Sequence, residues 1–118
     1  MKRGDLWTVA GGADYAGKPR PAVIVQDDEF DATPSITICI LTTNPAEAPL
    51  MRLPIKPNDR NGLLAASSLM VDKLTTVPRS KLGMRIGRLD DEDMVRLNQA
   101  MVVFLGLARS ARSQGSDN

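Results

Sequence analysis

A guanidinium held between two prolines is the first feature of this sequence that could do chemistry. Arg20 stands in Lys18-Pro19-Arg20-Pro21, directly before the apolar run Ala22 to Gln26. Pro19 fixes its own φ and Pro21 restricts Arg20 to extended conformations, so this side chain starts from a stiffened backbone. A guanidinium is always charged, and its planar fork of donors matches phosphate oxygens. Binding of an anion is therefore one role; the other is an ion pair with Asp5, Asp27 or Asp28.

Hydroxyl and carboxylate groups extend this candidate site. Thr42 and Thr43 end the β-branched run that starts at Ile36, where hydroxyls could contact a ligand from the rim of a sheet. They could equally bond the backbone of the following turn. Asp14 lies in a glycine-rich loop before Arg20 and could accept a proton or hold Arg20 in position. A solvated loop carboxylate is the other role for Asp14.

A basic cluster follows late in a chain whose net charge is only +1. Its members are Lys73, Arg79, Lys81, Arg85 and Arg88. Such a cluster indicates either a phosphate-binding groove or a solvated strand face. Because the whole chain is nearly neutral, binding of a polyanion must depend on local clustering of this kind.

The composition excludes several kinds of catalytic site. The chain has no histidine, which rules out a Ser-His-Asp relay and the common zinc sites. Its one cysteine, Cys39, lies in an apolar run and is expected to be an inert core thiol. Aromatic residues make up 3% of the chain, which argues against a base-stacking platform for single-stranded nucleic acid. An arginine-centred site remains compatible with this composition.

The hydrophobic pattern predicts the elements that must position these residues. Strands are expected over Asp5–Ala10, Ala22–Gln26, Ile36–Thr42, Met51–Ile55, about Ser68–Lys73 and Met84–Arg88. Pro54 confines its strand to an edge of the sheet. The segment "KPNDRNG", which begins at Lys56, is a strong turn signal.

One helix should close the domain. Asp90 can cap it, and an apolar stripe recurs at helical spacing through Met94, Leu97, Met101, Leu105 and Ala108. The sum predicts an α+β fold, a curled antiparallel sheet with a C-terminal helix. With 118 residues, we expect one domain over residues 1–108 and a disordered tail over 109–118. No membrane-length apolar run or signal peptide is present, so a cytoplasmic protein is expected.

Taken together, these motifs resemble the MazF/PemK family of toxin endoribonucleases from bacterial toxin–antitoxin systems. The matching stretches are "RGDLWTV", "GKPRPAVIVQDD", "ICILTTN" and the closing segment from "LMVDKL" to "VVFLGL". The resemblance implies an SH3-like barrel with a terminal helix, assembled as a homodimer. It also implies cleavage of single-stranded RNA without a metal ion or other cofactor, in which the 2′-hydroxyl attacks the adjacent phosphorus and leaves a cyclic phosphate and a 5′-hydroxyl.

The resemblance also implies roles for particular residues. Arg20 matches the family's catalytic arginine and Thr42 its catalytic threonine, while Asp14 would assist as an acid, a base or a support for Arg20. The family's loop usually carries a longer glutamate than Asp14. Contacts to RNA are expected from Lys18, Thr43, Lys73, Arg79, Lys81 and Arg85.

The implied partners are single-stranded RNA, which could be mRNA, tRNA or rRNA, and a cognate antitoxin. Operator DNA is expected to bind only through that antitoxin, and no membrane is involved. Two alternatives stay open. One is a gyrase-binding toxin like CcdB, which shares the barrel but uses apolar and aromatic residues at the end of its helix. The other is an inactive, regulatory homologue.

Overall fold

The computed structural model of the protein describes residues 1–10, 19–44 and 51–109. These residues form β1 (Asp5–Val9), β2 (Arg20–Ile24), β3 (Ser35–Thr42), β4 (Arg52–Ile55), β5 (Ser67–Met70), β6 (Thr75–Pro78), β7 (Leu82–Arg88) and the helix α1 (Asp91–Phe104). Short 3₁₀ helices lie at Asp28–Phe30, Val71–Lys73 and Arg79–Lys81. Within the described ranges, no helix is long and apolar enough to cross a membrane.

All strand pairs are antiparallel, and β3 is the strand on which the sheet is built. The order is β4-β5-β3-β2-β1-β7, and β6 also pairs with β3. One edge of β3 therefore carries β2, while its other edge carries β5 near Thr42 and β6 near Ser35. The edge position predicted for the strand containing Pro54 is confirmed, because β4 ends the order.

The short link between β6 and β7 forces the sheet to curl. Pro78 pairs with Ser35 on β3, and Leu82 pairs with Val9 on β1. In a flat sheet β6 and β7 would lie four strand spacings apart, about 19 Å. The chain from Pro78 to Leu82 reaches at most about 14 Å. The predicted fold class, a curled antiparallel sheet of the small-barrel kind with a C-terminal helix, is confirmed.

Alternation along the strands builds two hydrophobic cores. The inside of the curl is filled by Val9, Ala22, Ile24, Ile36, Ile38, Ile40 and Met70. The other face of the sheet packs against α1 through Leu6, Val23, Cys39, Leu41, Leu69, Met94 and Leu97, among others. Burial raises the pKa of the Cys39 thiol to about 12, so the prediction of an inert core cysteine is confirmed.

Each predicted strand differs from the observed one at one end or both, and two of these differences change the account of the chain near the site. β2 begins at Arg20 and not at Ala22, so the backbone of Arg20 pairs with Val9 on β1. The strand predicted over Ser68–Lys73 ends at Met70, and the chain then turns through Val71–Lys73 into β6. The turn is held by a hydrogen bond from the Val71 N–H to the Met51 carbonyl (3.0 Å).

The helix starts and ends differently from the expectation. Asp90 occupies the N-cap position, but its carboxylate accepts a hydrogen bond from the Asn58 side chain (3.0 Å) and none from the helix N–H groups. At the other end, Gly106 takes a φ of +76° and its N–H bonds the Val103 carbonyl. This C-terminal cap ends α1 before Leu105 and Ala108, which were predicted to lie on the buried stripe and are exposed.

Candidate active site

Arg20 and Thr42 form a cross-strand pair at one end of the curled sheet. Ala22 pairs with Ile40, and continuing that antiparallel register sets Arg20 opposite Thr42. Residues opposite one another on antiparallel strands project from the same face of the sheet. The Arg20 Nη1 lies 3.5 Å from the Thr42 Oγ1, a long hydrogen bond. The two residues predicted to carry catalysis are therefore brought together.

The Thr42 hydroxyl is oriented by two donors. Besides Arg20, the backbone N–H of Asn44 donates to its oxygen (3.2 Å). Thr42 therefore does bond the backbone of the following turn, one of the two roles that the sequence left open. That bond occupies one lone pair of the hydroxyl oxygen. A hydroxyl has two acceptor lone pairs and one O–H donor. With two donors facing its lone pairs, the Thr42 hydroxyl keeps its O–H as the group that can donate.

The backbone on either side of Arg20 is rigid in the way that the prolines predict. Arg20 pairs with Val9, and Pro21 pairs with Thr8, so the start of β2 is fixed against β1. Binding of a ligand costs conformational entropy. Because the Arg20 backbone is already fixed in the sheet, only its side chain would lose freedom on binding. The guanidinium is half-buried beside the nearly buried Thr42, so its charge acts in a medium less polar than water.

The three carboxylates proposed as structural partners of Arg20 are engaged elsewhere. Asp5 is in ion pairs with Arg85 (3.3 Å) and Arg88 (3.4 Å). Asp27 accepts from the Glu29 N–H at the start of a 3₁₀ helix, and Asp28 accepts from the Arg3 N–H. These contacts account for the three carboxylates in the fold.

Asp5 shows how the protein neutralises its buried acid. Burial by itself raises the pKa of Asp5, but the hydrogen bond from the Lys2 N–H and the guanidinium of Arg85 outweigh it. The pKa of this carboxyl consequently lies below its ordinary value. The charge of Arg85, one of the predicted RNA contacts, is thereby partly used within the fold.

Two clefts meet at the Arg20–Thr42 pair. One, of about 320 Å³, is lined by Pro19, Arg20, Pro21, Leu41 and Thr43. The other, of about 460 Å³, is lined in part by Thr42, Thr43, Lys56, Ser67 and Ser68. Thr43 lines both clefts, and its predicted contact with RNA stays a prediction. A chain-like ligand crossing this end of the sheet can occupy both.

The other predicted RNA contacts are distributed more widely. Lys81 is exposed near the Arg20 end, since its carbonyl accepts from the Ala10 N–H. Arg79 lies beside Ser35, seven residues and about 23 Å along β3 from Thr42, and it bonds the carbonyls of Asp31 and Thr33. The structure does not bring Arg79 to the Arg20–Thr42 pair.

Lys73 follows β5 closely along the chain. It is exposed on the 3₁₀ turn between β5 and β6, next to Asp72, which forms an ion pair with Arg52. Asp14 and Lys18 lie outside the described residues. The roles of Lys73, Arg79, Lys81 and Arg85 in RNA binding stay predictions.

Lys56, Ser67 and Ser68 line the second cleft, and the sequence reading did not select them. Lys56 belonged to a segment interpreted only as a turn. One signal was available, because Lys56 precedes Pro57 just as Lys18 precedes Pro19. A proline restricts the backbone of the residue before it, so the sequence predicts a restricted backbone for Lys18 and for Lys56.

The fold is a small curled sheet of the barrel kind with Arg20 and Thr42 in contact at one end. Residues 2–105 match the family described as "PemK-like, MazF-like toxin of type II toxin-antitoxin system". The chain belongs to this toxin family.

Relatives of known name agree with the family match. The chain is 55% identical over 108 residues to the "Probable endoribonuclease MazF" of Mycolicibacterium smegmatis, covering 92% of this chain and 99% of that protein. It is 26% identical over 117 residues to "Endoribonuclease MazF9" of Mycobacterium tuberculosis, covering 91% and 98%. A solved mycobacterial "Endoribonuclease in complex with its cognate antitoxin" superimposes with a TM-score of 0.75 at 21% identity, covering 93% and 99%. At that identity the superposition shows the fold.

Proposed function

We propose that this protein is the toxin of a type II toxin–antitoxin pair and acts as an endoribonuclease on single-stranded RNA. The observation that carries the proposal is the contact between Arg20 and Thr42 at the mouth of two clefts. The family match and the name of the 55% identical relative support the same activity. Acting on RNA, the protein would work in the cytoplasm.

The chemistry follows from where charge develops. The 2′-oxygen attacks phosphorus, the bond from phosphorus to the 5′-oxygen breaks, and the products are a 2′,3′-cyclic phosphate and a 5′-hydroxyl. Negative charge grows on the non-bridging oxygens as the pentacoordinate state forms. Arg20 would neutralise that charge, and the Thr42 proton would bond one of those oxygens and orient the phosphate for in-line attack. In this proposal the positive charge comes from the protein and not from a metal ion.

Proton transfer completes the step. The 2′-hydroxyl loses its proton to a base, and the departing 5′-oxygen gains one. Asp14 is the candidate that the sequence offers for this exchange or for holding Arg20; its position lies outside the described residues. A carboxylate can serve as base and then as acid within a single cleavage.

The proposed assembly is a homodimer of single-domain subunits over residues 1–108, neutralised by a cognate antitoxin. Support for a dimer comes from apolar side chains left exposed around the end of α1, namely Val102, Val103, Phe104, Leu105 and Leu107. Adjacent apolar residues at a surface mark interaction sites. The antitoxin would have to cover the clefts at Arg20 to block RNA, and contact with operator DNA would come through it.

Incubation of purified protein with a long single-stranded RNA in EDTA tests the activity. Wild type is expected to cut at a limited set of sites, and Arg20→Ala to lose about a hundred- to a thousandfold in rate. Arg60→Ala is the matched control, because Arg60 is an exposed arginine beside Asp91 (3.8 Å). Intact RNA with the wild type, or equal cleavage by Arg20→Ala, contradicts the proposal. Intact RNA together with arrest of gyrase on DNA would favour the CcdB-like alternative.

A further inference from the structure

The cleft on the far side of Thr42 from Arg20 continues the same face of the sheet. Thr42 pairs with Ser68 on β5, and Ser68 pairs with Pro54 on β4. Arg20, Thr42, Ser68 and Pro54 thus form one row across β2, β3, β5 and β4. Lys56 follows Pro54 by two residues and lines the cleft together with Thr42 and Ser68. Two strand spacings, about 10 Å, separate β4 from Thr42.

Hydrogen bonds fix the backbone at Lys56. The buried Asn61 side chain donates to the Lys56 carbonyl (2.9 Å) and accepts from the N–H groups of Asn58 (3.1 Å) and Leu63 (2.9 Å). Pro57 restricts Lys56 further from the other side. These hydrogen bonds hold the Lys56 backbone in place beside the cleft.

Lys56 differs from most arginines of the described residues in its ion pairing. Several described arginines are in ion pairs: Arg52 with Asp72, Arg60 with Asp91, Arg85 and Arg88 with Asp5, and Arg96 with Asp93. Over residues 1–10, 19–44 and 51–109, no carboxylate is in an ion pair with Lys56. The cleft beside Thr42 consequently presents a net positive charge to a ligand.

One hydroxyl beside Lys56 has a proton to donate. The Ser67 hydroxyl donates to the Ala65 carbonyl (2.9 Å), which commits its proton within the loop. Ser68 lies opposite Thr42 and shares its face, so its hydroxyl adds a neutral donor to the cleft. An ammonium with a neighbouring hydroxyl donor is chemistry suited to phosphate oxygens.

We propose that Lys56 and Ser68 bind a second phosphate of the RNA, next to the one held by Arg20 and Thr42. The inference rests on the proposed ribonuclease function and assigns the direction in which the RNA crosses the sheet, from β2 over β3 toward β4. Because this phosphate is not the one that reacts, the contact stabilises bound substrate and transition state alike.

The test is the salt dependence of RNA binding. A single-stranded RNA that wild type cleaves is made with a 2′-deoxy nucleotide at the cleaved position, and its affinity is measured against salt concentration. Each phosphate contact contributes about 0.7 to the slope of log affinity against log salt for single strands. Lys56→Gln should lower the slope by about that amount, and Lys56→Arg should restore it. Lys2→Gln is the matched control, since exposed Lys2 precedes β1 at the opposite end of the sheet.

Kinetics give a second readout on the cleavable RNA. Loss of a contact made equally in both states should raise KM for Lys56→Gln and leave kcat unchanged. If the salt-dependence slope of Lys56→Gln equals that of Lys2→Gln, the inference is overturned while the ribonuclease proposal stays intact. Wild type that cleaves no RNA overturns the ribonuclease proposal first. If Lys56→Gln keeps the RNA slope and weakens only the binding of polyglutamate, the cleft is a site for an acidic protein and the RNA assignment fails.

Discussion

At the scale of single residues, the site depends on how the Thr42 hydroxyl is held beside Arg20. Its oxygen accepts from Arg20 and from the Asn44 N–H, which leaves its O–H as a donor. Arg20 supplies fixed charge and Thr42 a fixed dipole. Preorganised donors of this kind need no reorganisation when charge develops on the reacting phosphate. The sequence indicated both residues through their family motif, but it left open whether Arg20 paired with Asp5.

Asp5 gives a residue-scale prediction of pH dependence. Its pKa is lowered in the folded protein, so its carboxylate contributes stability that is present above the ordinary value of 3.8 and is lost as pH falls through the folded value. Asp5→Asn should unfold at lower urea concentration at neutral pH. The difference in unfolding free energy from wild type should shrink below about pH 4. Urea titrations across that range measure it, and a difference that is constant with pH contradicts the assignment.

At the scale of elements, the site is held by stiff segments that enter and leave the sheet. Prolines flank Arg20 at the start of β2, and the Asn61-centred turn fixes the chain after β4. The turn also packs tightly on β7, because Gly62 has a φ of +70° and a Cβ there would lie 2.0 Å from the Ile86 carbonyl oxygen. Close backbone approach of this kind makes the turn part of the barrel.

Gly62→Ala should therefore destabilise the protein strongly. Gly106→Ala is a matched control, because Gly106 has a φ of +76° with nothing within 4 Å of the added Cβ. The left-handed conformation alone costs about 1–2 kcal/mol for alanine, and only Gly62 adds a clash with backbone. Urea unfolding should show a clearly larger loss for Gly62→Ala. Equal losses would mean that the turn is not clamped against β7.

Which elements could be predicted depends on whether their causes are local. The β-branched run of β3 and the edge position of Pro54 are local signals, and both predictions are confirmed. β6 was not predicted as a separate strand, since its pairing with β3 is a contact between distant parts of the chain. The helix end was placed too late because the apolar spacing outweighed the Gly106 signal.

At the scale of the whole molecule, the curl of the sheet gathers strand ends into one site. Arg20, Thr42 and Lys56 come from β2, β3 and the segment after β4, and the sheet order brings these three parts of the chain to the same end of the sheet. That order is set by pairing between distant parts of the chain, so the sequence pattern did not indicate that Lys56 lies near Thr42. Five described arginines are in ion pairs with carboxylates, so a net charge of +1 is compatible with a locally positive cleft at Lys56.

Arg20 and Thr42 are proposed to act as one unit on a phosphodiester. The most direct test of this claim is the single-turnover rate of RNA cleavage in EDTA for wild type, Arg20→Ala, Thr42→Val and the double variant. We expect each single change to slow cleavage by about a hundred- to a thousandfold. The double variant should lose much less than the product of the two, because residues that act together are not additive. Single variants that cut at the wild-type rate, or losses that multiply fully, would contradict the claim.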